Sequence, residues 1–159
     1  LCARLAESGS SIASAPRSLQ TKETLLSPAL FSGWGVRTVA TNERRYNPMS
    51  YHNGSIWPHD NALIAMGFAR YGLRAEAEQV FQAMFDAATF MDLNRLPELF
   101  CGFNRRSDEE PVRYPVACAP QAWSAGAAIQ VVTRSAGVKR PAAKAPAKKA
   151  AAKKSATRR

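Results

Sequence analysis

Apolar residues fall into helical register in two consecutive stretches of the chain and lose that register over most of the rest. From Pro58 or Asp60 onward, Leu63, Ile64, Gly67, Phe68 and Tyr71 recur at helical spacing, and Gly72 follows as a stop. Pro58 suits a first helical turn, where its missing N–H is not needed, and Asp60 offsets the helix dipole there. A second helix starts at once. Ala77, Phe81, Met84, Phe85, Ala88 and Met91 form its predicted apolar stripe, with Arg74, Glu76, Glu78, Gln79, Gln82 and Asp86 on other faces. So short a link makes the two helices antiparallel neighbours, an α-hairpin. A third helix is predicted from Pro120 to about Thr133, with Trp123, Ala127 and Gln130/Val131 on one side. The only strand candidate is short, near Val36–Ala40, so the predicted class is all-α.

Outside the helices the composition marks three regions. Residues 1–24 are rich in Ser and Ala and read as a poorly defined lead-in with room for one short helix. Residues 25–137 form the candidate domain. It opens on an apolar cluster, Leu25, Leu26, Leu30, Phe31 and Trp34, broken by Pro28, Gly33 and Gly35, and continues as an ordered irregular loop to residue 57. A second long loop, 92–119, separates the second and third helices. Loops of that length in a compact domain are functional or disordered; its apolar part around Glu98 is expected to be ordered, and residues 104–111 to be its mobile part. From residue 138 to 159 the chain turns to Lys, Arg, Ala and Pro, which cannot bury a core and predict a disordered tail.

Charge follows this division. The formal net charge is +10, but residues 139–159 carry nine Lys/Arg and no acid, leaving thirteen basic against twelve acidic residues and a net of +1 elsewhere. A near-neutral body suits an uncharged ligand. Cys2, Cys101 and Cys118 are too few and too irregular for a disulfide framework, which points to a reducing, cytoplasmic setting. No apolar run approaches the ~20 residues of a membrane span, so no membrane partner is expected. The first residues, Leu1-Cys2-Ala3-Arg4, lack an initiator Met and an apolar signal region, which predicts a chain that begins inside a larger gene product.

Candidate chemistry concentrates in two loops. The stretch Arg45 to Asn61 gathers Tyr51, His52, Asn53, Trp57, His59, Asp60 and Asn61 between Gly and Pro residues. Hydrogen-bonding groups beside flat apolar faces are what a sugar ring requires of a pocket. Asp60 and Asn61 also stand where N-caps stand, and capping is expected of at least one of them. The second loop, Asn94 to Phe103, carries Arg95 and one carboxylate, Glu98, among Leu96, Pro97, Leu99 and Phe100. Apolar surroundings raise a carboxyl pKa, as an acid or base working near neutrality requires. His52 and His59, seven apart, and Cys101 and Cys118, seventeen apart, fit no common zinc spacing, and no phosphate-binding Gly loop occurs, so no metal or organic cofactor is expected.

The segments Leu30 to Thr38, Tyr51-His52-Asn53-Gly54 with Trp57-Pro58, Arg95 to Leu99 and Pro115 to Trp123 resemble the C-terminal part of bacterial amylo-α-1,6-glucosidases, the glycogen-debranching type. More broadly the chain is similar to the six-hairpin (α/α) toroid glycosidases over roughly residues 25–133. Neutral invertases of that group share similar loops, which leaves sucrose as an alternative substrate. The resemblance implies a C-terminal fragment of a helical toroid with long functional loops. It assigns the catalytic base to Glu98 and the sugar subsite to the Tyr51–Asn61 loop, with Tyr51, His52, Asn53, Trp57, His59, Asp60 and Arg95 as binding residues. The expected substrate is an α-1,6-linked glucan, hydrolysed with inversion. The catalytic acid would lie on an earlier part of the toroid, a missing partner without which the isolated chain is expected to be inactive.

The tail supports a rival from another class. It looks like the basic tails of histone-H1-like proteins, and Lys139, Arg140, Lys144, Lys148, Lys149, Lys153 and Lys154 would give sequence-independent, salt-dependent binding to nucleic acid or another polyanion. Finally, an antiparallel hairpin returns the chain to the end where it began, so the loops before and after it should meet there. Trp57 and Glu98 are therefore expected at one common cleft.

Overall fold

The computed structural model describes residues 13–107 and 109–126. The basic tail with its predicted polyanion-binding residues, and the predicted third helix beyond residue 126, lie outside the described residues. Among the described residues the named α-helices are α1, Ala15–Leu25; α2, Pro58–Arg70; and α3, Arg74–Thr89. A 3-10 turn at Asp92–Asn94 follows, residues 122–126 are again helical, and no β-strand forms among the described residues. No helix among them is long and apolar enough to cross a membrane.

The helix boundaries have local causes. Pro58 occupies the first turn of α2 behind an extended Trp57. At the other end Gly72 has φ +78°, a left-handed conformation that costs glycine little. That turn lets Gly72 N–H bond to Ala69 O at 3.2 Å and Leu73 N–H bond to Phe68 O at 2.9 Å, a Schellman closure of the last helical turn. Two residues later α3 begins, antiparallel to α2. In the lead-in, the helix anticipated there is the eleven-residue α1, tied to α3 by Lys22–Glu76 at 3.5 Å.

The buried faces differ from the predicted stripes. On α2 the interior side is Asn61, Ala62, Ala65 and Phe68, and on α3 it is Ala77, Val80, Ala83, Met84 and Ala87. Leu63 and Phe85, both placed on the apolar stripes by their helical spacing, are 60% and 57% exposed. Alanines let the two backbones approach closely, and a Leu or Phe at the same contact would hold them apart. The hairpin therefore buries its small residues and turns two large ones outward.

Two apolar clusters are built on this hairpin. One joins Val36 to Ala62, Ala65, Phe68, Ala77 and Val80; the other sets Trp34, Ile56, Leu96 and Phe100 on Met84 and Ala87. In place of the predicted short strand, four isolated antiparallel bridges lay the loop segments side by side: Phe31–Val36, Arg37–Ile56, Ile56–Phe100 and Phe100–Arg113. The central contact is reciprocal, Ile56 N–H to Phe100 O at 2.9 Å and Phe100 N–H to Ile56 O at 3.1 Å. The loops before and after the hairpin thus meet at the same end.

Candidate active site

Glu98 follows Pro97 at a bend just before the Phe100 bridge, and its own backbone N–H bonds to Cys118 O at 2.8 Å. The half-buried carboxylate is held from two sides. Tyr51 donates its hydroxyl to Oε1 at 2.6 Å, and Cys118 donates its backbone N–H to Oε2 at 3.3 Å. Gln121 adds a side-chain hydrogen bond.

These donors reverse one expectation. Apolar flanks were to raise the Glu98 pKa, but Leu99 and Phe100 turn into the core and the carboxylate meets donors instead. The Tyr51 hydroxyl, foremost, holds the Glu98 carboxyl below the usual carboxylate range; the backbone of Cys118, Gln121 and the nearby His59 act the same way, against a smaller upward push from burial. In turn the Glu98 carboxylate pushes the Tyr51 phenol up to about 12. Both shifts agree that the proton stays on Tyr51 and that Glu98 is ionised at neutral pH.

Around this pair stands an aromatic cluster. Tyr51 meets His52, Trp57 and Tyr114 edge-on at 4.6, 4.9 and 5.7 Å between ring centroids. His52 lies parallel to Trp57 at 5.9 Å, and His59 stacks on Trp123 at 4.0 Å. Trp57 is locked in place because its indole N–H bonds to Ser55 Oγ at 3.0 Å. His59 lies 3.1 Å through Nε2 from the Asp60 carboxylate, while its Nδ1 is buried without a partner. An ionised carboxylate, a raised phenol and several ring faces thus converge at one end of the hairpin.

The remaining predicted residues are placed differently. Asn53 lies in the turn at 51–54, where its N–H bonds to Ser50 Oγ and its carbonyl accepts the Asn47 N–H. Asp60 is exposed, and neither it nor Asn61 caps α2, whose N-cap position is Trp57 without a side-chain bond. Asn61 is fully buried instead: its Oδ1 accepts the Val36 N–H at 2.7 Å, and its Nδ2 donates to the carbonyls of Val36 and Trp57. A residue already inside the helix points its side chain past the helix start, toward the neighbouring loop, so capping is replaced by a tie between loop and helix. Arg95 is exposed and lies in a separate cavity of about 300 Å³ with Pro97, Arg113 and Tyr114.

Four members of the arrangement, Tyr114, Cys118, Gln121 and Trp123, escaped assignment from sequence. The one available signal was the resemblance of Pro115 to Trp123, which marked that segment without naming a role in it. The family model described as "Mannosylglycerate hydrolase MGH1-like glycoside hydrolase domain" matches residues 11–100, including α1, the hairpin and both candidate loops up to Phe100. No curated protein matches the chain.

Proposed function

The chain belongs to the MGH1-like glycoside hydrolase family, and from that premise we propose that Glu98 is the general base of an inverting glycoside hydrolysis. The single observation that supports it most is the 2.6 Å bond from Tyr51, the centre of the aromatic cluster, to the Glu98 carboxylate. In the proposed step a water attacks the anomeric carbon, Glu98 takes a proton from that water, and the bond to the leaving oxygen breaks as an acid protonates it. Tyr51 keeps Glu98 ionised and aimed. A base held below the usual range is weak but wholly ionised, so its contribution lies in placing the water rather than in a high affinity for the proton. His52 and Trp123, both exposed, supply faces on which the sugar rests, with His59 stacked on Trp123 and the buried Trp57 behind them.

The substrate we propose first is an α-1,6-linked glucan, on the resemblance of the two loops to debranching glucosidases. A glycosyl fluoride separates the base step from the acid step, because fluoride leaves without being protonated. The expected result for the full chain is release of fluoride from α-glucosyl fluoride, lost in Glu98→Gln, with no glucose released from isomaltose or limit dextrin. Fluoride release at equal rates by the parent and Glu98→Gln would overturn the assignment of the base.

The Arg95 cavity favours a second reading. Its guanidinium has no hydrogen bond or ion pair among the described residues, and the Tyr114 ring forms a wall common to this cavity and the Glu98 cluster. A glycoside whose aglycone bears a carboxylate, as mannosylglycerate does, would place that charge there. Tighter binding of mannosylglycerate than of isomaltose, with the difference removed in Arg95→Ala, would select this reading.

A further inference from the structure

Arg37 is buried to 3% exposure, yet no carboxylate pairs with it among the described residues. Its Nε donates to Gly102 O at 2.6 Å, its Nη1 to Ala29 O at 3.4 Å, and its Nη2 to Asn104 Oδ1. Burial alone lowers its pKa, with the neighbouring Tyr46 pulling the other way. The same Gly102 carbonyl accepts the Tyr46 hydroxyl at 3.0 Å, and the guanidinium carbon stands 6.0 Å from the Tyr46 ring centroid. A buried guanidinium therefore sets the orientation of two side chains, Tyr46 and Asn104, that lead outward from it.

Both of those side chains line a cleft of about 550 Å³ with Pro48, Phe103, Arg106 and Glu109. Because the Asn104 oxygen is committed to Arg37, the amide nitrogen is the group it offers elsewhere, and no other partner holds it among the described residues. Phe103 remains 39% exposed at this cleft, and Arg106 pairs with Glu109 at 3.1 Å. The cleft so combines ring faces with a fixed donor and a charged pair rich in further donors and acceptors. Phe103 is five residues from Glu98, so their Cα atoms lie at most about 18 Å apart at ~3.6 Å per residue.

We propose that this cleft is a second saccharide-binding site, which holds a remote unit of a glycan chain whose other part lies at Glu98. This rests on the glycoside hydrolase reading above and adds to it a preference for chain length. Arg37 acts as the positioning residue for the cleft, and Phe103 and Asn104 as its contact residues. No hydrolysis occurs there; the site raises affinity for long oligosaccharides over disaccharides by linking two weak contacts.

The test is titration of the full chain with isomaltose and with an isomalto-oligosaccharide of six or seven units, followed by nuclear magnetic resonance and calorimetry. Expected are shifts of the Asn104 side-chain amide and the Phe103 ring with the long ligand only. Phe103→Ala should weaken the long ligand at least tenfold and leave the disaccharide unchanged, whereas Trp123→Ala should weaken both. Arg106→Ala provides a second variant, at an exposed side chain whose removal spares the core. Long-ligand affinity unchanged in both Phe103→Ala and Arg106→Ala would overturn the second site while leaving the Glu98 reading intact. Absence of binding by either ligand at any surface would remove both.

Discussion

Replacing Asn61 tests how the candidate site is attached to the helical hairpin. Val36 is buried, and its bridge to Phe31 is carried by neighbouring groups, Ser32 N–H to Gly35 O and Arg37 N–H to Leu30 O. Among the described residues the N–H and carbonyl of Val36 itself bond to Asn61 alone, at 2.7 and 3.1 Å. Trp57 O is less dependent, since it also accepts the Asn61 backbone N–H at 3.0 Å. Asn61→Ala therefore strands two buried backbone groups, each costing about 1–3 kcal/mol, so that about 3 kcal/mol is lost once the loop relaxes. With a urea slope of about 1.5 kcal/mol per molar, the unfolding midpoint falls by about 2 M. Asn61→Asp sharpens the test, because an ionised carboxylate would face the two carbonyls that now accept Nδ2. Burial raises such an acid above the ~3.9 of the unfolded chain. A raised folded pKa gives stability that is present below the unfolded value and lost as pH rises through the folded one. The Asp variant should thus be less stable than the Ala variant at pH 7, with the gap narrowing toward pH 4. An Asn61→Ala loss under 1 kcal/mol, or an Asp deficit equal at the two pH values, would refute the reasoning.

Three further outcomes are expected. Tyr51→Phe should return the Glu98 pKa upward toward the ordinary carboxylate range, read by carbon-13 resonance of the carboxyl; because the folded value is depressed, the parent's small stability advantage should be present above that range and be lost as pH falls through the depressed folded value. Gly102→Ala should cost about 3 kcal/mol in chemical denaturation, since the new Cβ would sit inside the Gly54 carbonyl and neither backbone can yield cheaply. Gly67→Ala should stabilise by about 0.5–1 kcal/mol, because the site is mid-helix on α2 with open space where the Cβ would stand; a loss of stability would count against the described cavity of about 190 Å³ beside α1.

What the sequence disclosed depended on how local the cause was. Helix ends were legible because Pro58 and Gly72 act on their own turns. Helix faces were less so, since apolar periodicity pointed to Leu63 and Phe85 whereas close approach of α2 and α3 selected alanines. The meeting of the two loops followed from the hairpin alone, and Ile56 and Phe100 join them where that geometry required. The sign of the Glu98 shift did not follow, because apolar neighbours in sequence need not be neighbours of the carboxylate in space. The hydroxyl that decides the sign comes from Tyr51, forty-seven positions away. Tyr114, Cys118 and Gln121 reach the carboxylate or its phenol through an aperiodic loop, where spacing carries no information about contact. The part around Asn104 and Arg105, expected to be mobile, is instead tied down: Arg105 bonds to Ser32 O through its N–H, pairs with Asp86 at 2.6 Å and stacks 4.4 Å over Trp34.

The placement of Glu98 shows how a loop residue acquires the rigidity that its proposed role in activating water demands. No helix or sheet carries it. Its segment is gripped on one edge by Ile56 and on the other by Cys118, and Leu99 and Phe100 beside it are fully buried. Phe100 in turn belongs to the cluster seated on Met84 and Ala87 of α3. Ile56 sits directly before Trp57 and the start of α2, so both loops take their position from the same hairpin. A change at Gly102, where the Gly54 backbone passes closest, should therefore shift Tyr51 and Glu98 relative to each other before it unfolds the helices. Loss of the Tyr51–Glu98 bond should precede loss of helix in any such variant, with the phenol pKa falling from about 12 while helical circular dichroism is retained. Simultaneous loss of both signals would mean that the loops and the hairpin form one cooperative unit, and that the site has no independent stability to tune.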